Sequence, residues 1–148
     1  MAHKTYDNHL GIKGWALGGA WSPERYLYTL HRITGLGILA YFLMHILVTT
    51  TRAVSQESWN ALLGDNGFLR AFPFKIGEFL VFAAFCYHAL NGVRLVLVEL
   101  GFAVGKPIEP IYPYRTSLNV QRPLLIVMMI LALILLVAGG FDFMGLAG

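Results

Sequence analysis

Charge is scarce in this chain. Asp, Glu, Lys and Arg make up 13% of its 148 residues, against 57% hydrophobic. That is about half the charged share of a soluble domain, too little to cover a water-facing surface. Cysteine is scarcer still. The single Cys86 excludes an internal disulfide, and its place in an apolar run suits an inert packing role. No C-x-x-C-H sequence occurs, so any haem would be held without a covalent bond. No lysine-rich run or basic-aromatic interleaving is present, which argues against nucleic acid as a partner. The N-terminal MAHKTYDNHLGIKGWALGGAW lacks the unbroken apolar core of a secretory signal, so no cleaved leader is expected. No internal repeat is visible, which weakens a transporter reading.

What the chain has instead is apolar runs of membrane-crossing length, roughly 20 residues each. Three windows qualify, at about 28–51, 76–100 and 124–141. They predict an all-α membrane protein. Residues 1–27 form a cytoplasmic or interfacial arm, and 28–148 a three-helix anchor domain. Pro123 suits the first turn of the last helix, where its missing N–H is not needed. Three helices with polar stripes are few for a self-contained channel, so they are expected to pack with a partner's helices into a larger bundle.

Formal net charge is +3, and its distribution sets orientation. Lys4, Lys13, Arg25, Arg32, Lys106, Arg115 and Arg122 fall on one side, and Arg52, Arg70 and Lys75 on the other. Seven against three places the N-terminus in the cytoplasm and the C-terminus outside. The second loop, KPIEPIYPYR, spaces Pro107, Pro110 and Pro113 three apart, which favours an extended polyproline path. It reads equally as a stiff strap for docking a soluble partner or as a plain connector. Trp15, Trp21 and Tyr26 fit an interfacial aromatic belt, and Glu78 a side chain snorkelling to the outer interface. Tyr41 and Phe42 read as packing residues.

Ionisable residues inside the spans are the informative exceptions. HRITG runs from His31 to Gly35, HALNGVR from His88 to Arg94, and His45 lies deep in the first window. A buried Arg costs about 2.5–3.5 kcal/mol at a helix centre on insertion scales, so such residues mark pairing, ion paths or a cofactor. Haem is the first candidate. His31 and His45, fourteen residues apart, return to within roughly 40° of one face, which Thr34 and Ile38 share. His88 shares a face with Ala84, Asn91, Gly92 and Leu95, and Gly92 is expected to leave open space beside its imidazole. Arg94 is open to pairing with a propionate or with Glu99. Counted from the cytoplasmic ends, His45 and His88 differ in depth by roughly 7 Å. That disfavours one haem gripped between them, and fits each histidine holding its own haem better.

These two motifs resemble the cytochrome b membrane subunit of succinate dehydrogenase and fumarate reductase, respiratory complex II. HRITG opens the first helix. HALNGVRLVLVE matches the pattern of His, three residues, Gly, one residue, Arg, then an acidic residue. The likeness covers about Ser22 to Leu100, and the third helix only by position and hydropathy. It implies a haem b anchor passing electrons from an iron-sulphur subunit to membrane quinone, with succinate chemistry left to a flavoprotein subunit. By carry-over His88 is an axial haem ligand, and Arg94 assists on the propionate side. His31 and Arg32 lie by the quinone site and a propionate. Tyr28 and Thr29 stand where relatives place a quinone-contacting serine, and Leu95 where many carry a further histidine. His45 resembles the first-helix ligand of two-haem members, which favours two haems per complex, each completed by a second small anchor subunit. The setting implied is the inner membrane of a prokaryote. The rival readings are a haem-free anchor and a proton relay through His45, His88 and Glu78.

Overall fold

The computed structural model describes residues 11–13, 22–105 and 117–145. The three expected spans are all there as helices: α1 (Pro23–Val54), α3 (Phe72–Glu99) and α4 (Leu118–Phe143). Each is long and apolar enough to cross a membrane. A short α2 (Gln56–Leu63) and a 3₁₀ turn (Phe68–Arg70) fill the connection between α1 and α3. No strand occurs among the described residues. The expected polyproline strap, Trp15 and Trp21 lie outside them.

The helices start earlier than hydropathy predicts, because capping rather than apolarity sets where a helix begins. Ser22 is extended and its Oγ accepts a hydrogen bond from the Arg25 N–H at 3.3 Å. Pro23 supplies a fixed φ at the first position, and Glu24 complements the positive end of the helix. Tyr26 therefore belongs to the helix rather than to an arm, and is exposed there, as a belt residue should be. Pro123 corrects the expectation for the last helix. It lies inside α4, which already begins at Leu118. Its missing N–H leaves the Asn119 carbonyl without its intrahelical donor, near a membrane interface where water or headgroups can supply one.

Ser55 works twice. Its N–H caps the Thr51 carbonyl at the end of α1, and its Oγ accepts from the Ser58 N–H at 3.0 Å to start α2. Arg52 then sits 5.4 Å over the Trp59 ring, tying α2 back onto α1.

Helix α3 packs against both α1 and α4, which make no helix packing with each other among the described residues. One ion pair joins those two ends: Arg122 Nε donates to Glu24 Oε1 at 2.8 Å. It places the starts of α1 and α4 on the same side, as three alternating crossings require. Burial is inverted relative to a soluble domain. Leucines, isoleucines and phenylalanines face outward along all three helices, while Thr29, Asn91 and Arg94 are buried. Lipid replaces water as the outer solvent, so apolar surface no longer drives packing and close approach must do so. Gly139 provides it on the α4 side. A Cβ there would overlap the Phe82 ring, and one at Gly140 would touch Phe79 at 3.6 Å.

Gly139→Leu should therefore pry α3 from α4, costing about 1–3 kcal/mol by overpacking. Gly77→Ala, with nothing within 4 Å of the added carbon, should be neutral or slightly stabilising. Reversible unfolding in mixed micelles measures both; equal effects would mean that Gly139 does not set the contact.

Candidate functional site

The site is built where the first third of α1 meets the last half of α3. Residues three and four apart share a helix face, so α1 presents Leu27, His31, Thr34 and Gly35. From α3 come Tyr87, His88, Asn91 and Arg94. Two side chains of α3 bond the backbone of α1. The Tyr87 hydroxyl donates to the Leu27 carbonyl, and His88 Nδ1 lies 3.1 Å from the His31 carbonyl. Thr34 Oγ1 is 3.2 Å from the same Nδ1.

A carbonyl oxygen can only accept, so His88 Nδ1 carries the proton. The Thr34 hydroxyl proton is engaged elsewhere, 2.8 Å from the Leu30 carbonyl and 3.1 Å from that of His31. In the neutral ring this leaves a lone pair on Nε2, which makes no hydrogen bond among the described residues. An imidazole held in one tautomer by a bond at Nδ1 is the arrangement metal-binding histidines use.

The ring's position is fixed as tightly as its tautomer. His31 stacks on it with ring centroids 3.8 Å apart and planes 6° from parallel. On the facing helix, a Cβ at Gly35 would come within 2.8 Å of His88 Cε1. Only glycine at 35 admits the imidazole where its two bonds hold it. Gly92, expected to leave open space, is instead close to His31, whose Cε1 would lie 3.6 Å from a Cβ there. The space beside His88 is thus shared by His31 and Gly35, on a helix whose rotation the sequence pattern does not specify.

Arg94 does not pair with Glu99. Its Nε donates to Asn91 Oδ1 at 3.0 Å, one turn back on the same helix, and both residues are buried. Asn91 is completely enclosed, yet its Nδ2 has no partner, and neither has the buried His31 Nδ1. Such orphaned donors and acceptors are rare in native interiors. Thr29 is buried as well, whereas Tyr28 faces outward with the Arg32 guanidinium 5.1 Å from its ring centroid. Of the three residues expected at a quinone site, Tyr28 and Arg32 are brought together and Thr29 faces elsewhere.

His45 is separated from this cluster. Gly35, where α1 meets His88, is ten residues from it, or roughly 15 Å along the helix. One iron held between His45 and His88 does not fit that spacing, which is about twice the roughly 7 Å offset expected from the sequence. The His45 ring is exposed, 5.6 Å from that of Tyr41, and lines a cavity of about 490 Å³. Walls of that cavity come from α1, α2, the 3₁₀ turn and α3, with Gly37, Trp59, Phe74 and Glu78 among them. Among the described residues no cluster of three or more His, Cys, Asp and Glu could hold a bare metal ion. A haem needs no such cluster, because one or two axial ligands suffice. Sequence reasoning missed Gly35, Tyr87 and the Asn91–Arg94 bond. Gly35 closes the HRITG motif and Asn91 and Arg94 stand i, i+3 within HALNGVR, but neither signal says what these residues meet.

Gly35→Ala should displace the His88 ring, whereas Gly37→Ala, with open space around it, should not. The expected cost at 35 is about 1–3 kcal/mol, and at 37 none or a slight gain. Histidine NMR signals of the assembled protein check it: the Nδ1-protonated signature of His88 should be lost only in Gly35→Ala.

Comparison with known proteins identifies the family. The sequence profile of the succinate dehydrogenase/fumarate reductase transmembrane subunits matches residues 8–137. The chain is 30% identical over 77 residues to the "Succinate dehydrogenase 2 membrane subunit SdhC" of Mycobacterium tuberculosis, covering 52% of this chain and 54% of that one. It is 29% identical over 98 residues to the "Succinate dehydrogenase hydrophobic membrane anchor subunit" of Halobacterium salinarum, covering 66% of this chain and 73% of that one. The match thus spans about half of the first relative's length and nearly three quarters of the second's. No solved structure matches significantly. A profile match over most of the chain, on three apolar helices with both motifs in place, shows that the chain belongs to the succinate dehydrogenase/fumarate reductase transmembrane subunit family.

Proposed function

We propose that this chain is the haem b-carrying membrane anchor of a succinate:quinone oxidoreductase. It would receive electrons from an iron-sulphur subunit and form part of the quinone site. The observation that carries the reading is the contact of His88 Nδ1 with the His31 carbonyl, which favours a proton on Nδ1 and leaves Nε2 without a hydrogen bond among the described residues. The surroundings are compatible with a porphyrin: Gly35 and Gly92 seat the His88 and His31 rings, and the buried Arg94 would offer a cation to a propionate. When bound, haem supplies a one-electron carrier; the chain's own work is ligation, orientation and electrostatics.

In this reading Arg32, near the cytoplasmic end of α1 and beside Tyr28, donates hydrogen bonds to a quinone carbonyl and to the quinol oxyanion that develops on reduction. His45, on the outer side, would ligate a second haem together with a second small anchor subunit, and it lines a cavity between α1 and α3. The flavoprotein carries the dicarboxylate chemistry, and none falls to this chain. The orientation follows the Lys/Arg bias, with the N-terminus cytoplasmic, in the inner membrane of a prokaryote.

Membranes or purified complex should show a b-type absorbance band reducible by succinate. His88→Ala should abolish the band of its haem while leaving the complex assembled. His45→Ala should halve the haem content of a two-haem complex; an unchanged content would remove His45 from ligation. Arg32→Leu should lower quinone reduction about 100-fold with haem content intact. An assembled wild-type complex with no b-type absorbance would contradict the cytochrome reading and leave a plain anchor.

A further inference from the structure

Asn91 is the most enclosed side chain of α3 and has no role in the ligation scheme. Its relative exposure is 0%, and one of its two polar atoms is unpaired. An apolar side chain of similar size would pack there without the penalty of an unsatisfied buried donor. What Asn91 does make is one bond, from Arg94 Nε to its Oδ1 at 3.0 Å.

That bond constrains more than one atom. The guanidinium is planar and rigid, so fixing Nε fixes the direction of both terminal nitrogens. Arg94 is itself only 5% exposed. Its terminal nitrogens make no bond among the described residues, and they are not among the sealed, unpaired atoms. The arrangement is a buried cation with one edge clamped and the other presented. Free rotation would otherwise let Arg94 turn away, since a long side chain has many rotamers and a low-dielectric interior favours whichever one meets an anion or water.

We propose that Asn91 is a positioning residue. It holds the Arg94 guanidinium with its terminal N–H groups directed at an anionic oxygen group beside His88, and it acts through Arg94 rather than by touching the iron. The inference rests on the haem reading above, under which the anion is a carboxylate of the haem itself. It assigns to Asn91 control of how strongly Arg94 offsets that charge, and so of the haem's reduction potential. A cation held near the haem favours the reduced, less positive iron; letting it swing away favours the oxidised form.

The test is a redox titration of the haem in the purified complex, comparing wild type, Asn91→Leu, Arg94→Leu and the double variant. Asn91→Leu should retain haem at wild-type stoichiometry and shift the reduction equilibrium about tenfold toward the oxidised form, 59 mV for one electron. Arg94→Leu should shift it at least as far, and the double variant no further than Arg94→Leu alone. A purely structural role for Asn91 would change haem content or thermal stability but not the potential. If Asn91→Leu does not assemble, Asn91→Ser, which leaves room for a water, gives the same comparison. An unchanged potential in Asn91→Leu, or shifts that add in the double variant, would overturn the proposal. Absence of haem from the wild-type complex would instead defeat the reading beneath it.

Discussion

Two bonds from α3 to the backbone of α1 set the geometry of everything around them. Within a bilayer, apolar faces gain nothing by meeting each other rather than lipid, so helices are held by close contact and by polar groups with nowhere else to go. Tyr87 and His88 are adjacent in sequence, and Leu27 and His31 are one turn apart. Together they fix both the relative depth and the rotation of the two helices. Carbonyls inside a helix keep a second lone pair after their intrahelical bond, and these side chains use it. The same contact that docks α3 onto α1 favours the His88 tautomer with its proton on Nδ1 and its lone pair on Nε2. Helix packing and the orientation of the imidazole are therefore one constraint here, and Gly35 is its steric consequence.

Much of the fold was legible because a membrane imposes a simple rule. Apolar runs of spanning length with flanking charges give three helices, and they are present. Their ends were less legible. Ser22, Pro23 and Glu24 extend α1 through residues that hydropathy counts as polar, and Pro123 sits inside a helix that begins before it. The connection holding α2 shows the same thing, since Ser55 starts a helix by capping chemistry in a stretch without a long apolar run.

The site was legible in its residue types but not in its pairings. HRITG and HALNGVR were the informative motifs, and the fold does bring them together, His31 stacked on His88. Periodicity could place Gly92 on the face of His88, but not tell which glycine meets which ring, because that depends on how α1 is rotated. Arg94 with Glu99 was reasonable by charge; Asn91 is instead one turn away on the buried side, while Glu99 is exposed. Charge alone does not indicate which side of a helix is enclosed by its neighbours. Counting residues at 1.5 Å each gave the direction of the His45–His88 offset but only about half its size, because it took the helix starts from hydropathy and not from the contact at Gly35.

The chain thus presents an apolar exterior, with a narrow polar seam between α1 and α3. The central claim is that His88 is held by the His31 carbonyl so that Nε2 ligates iron. A cryo-electron microscopy map of the assembled complex tests it most directly. The account predicts haem iron at coordination distance from His88 Nε2, with Nδ1 still within hydrogen-bonding distance of the His31 carbonyl. A His88 ring turned away from that carbonyl, or no iron beside Nε2, would contradict it.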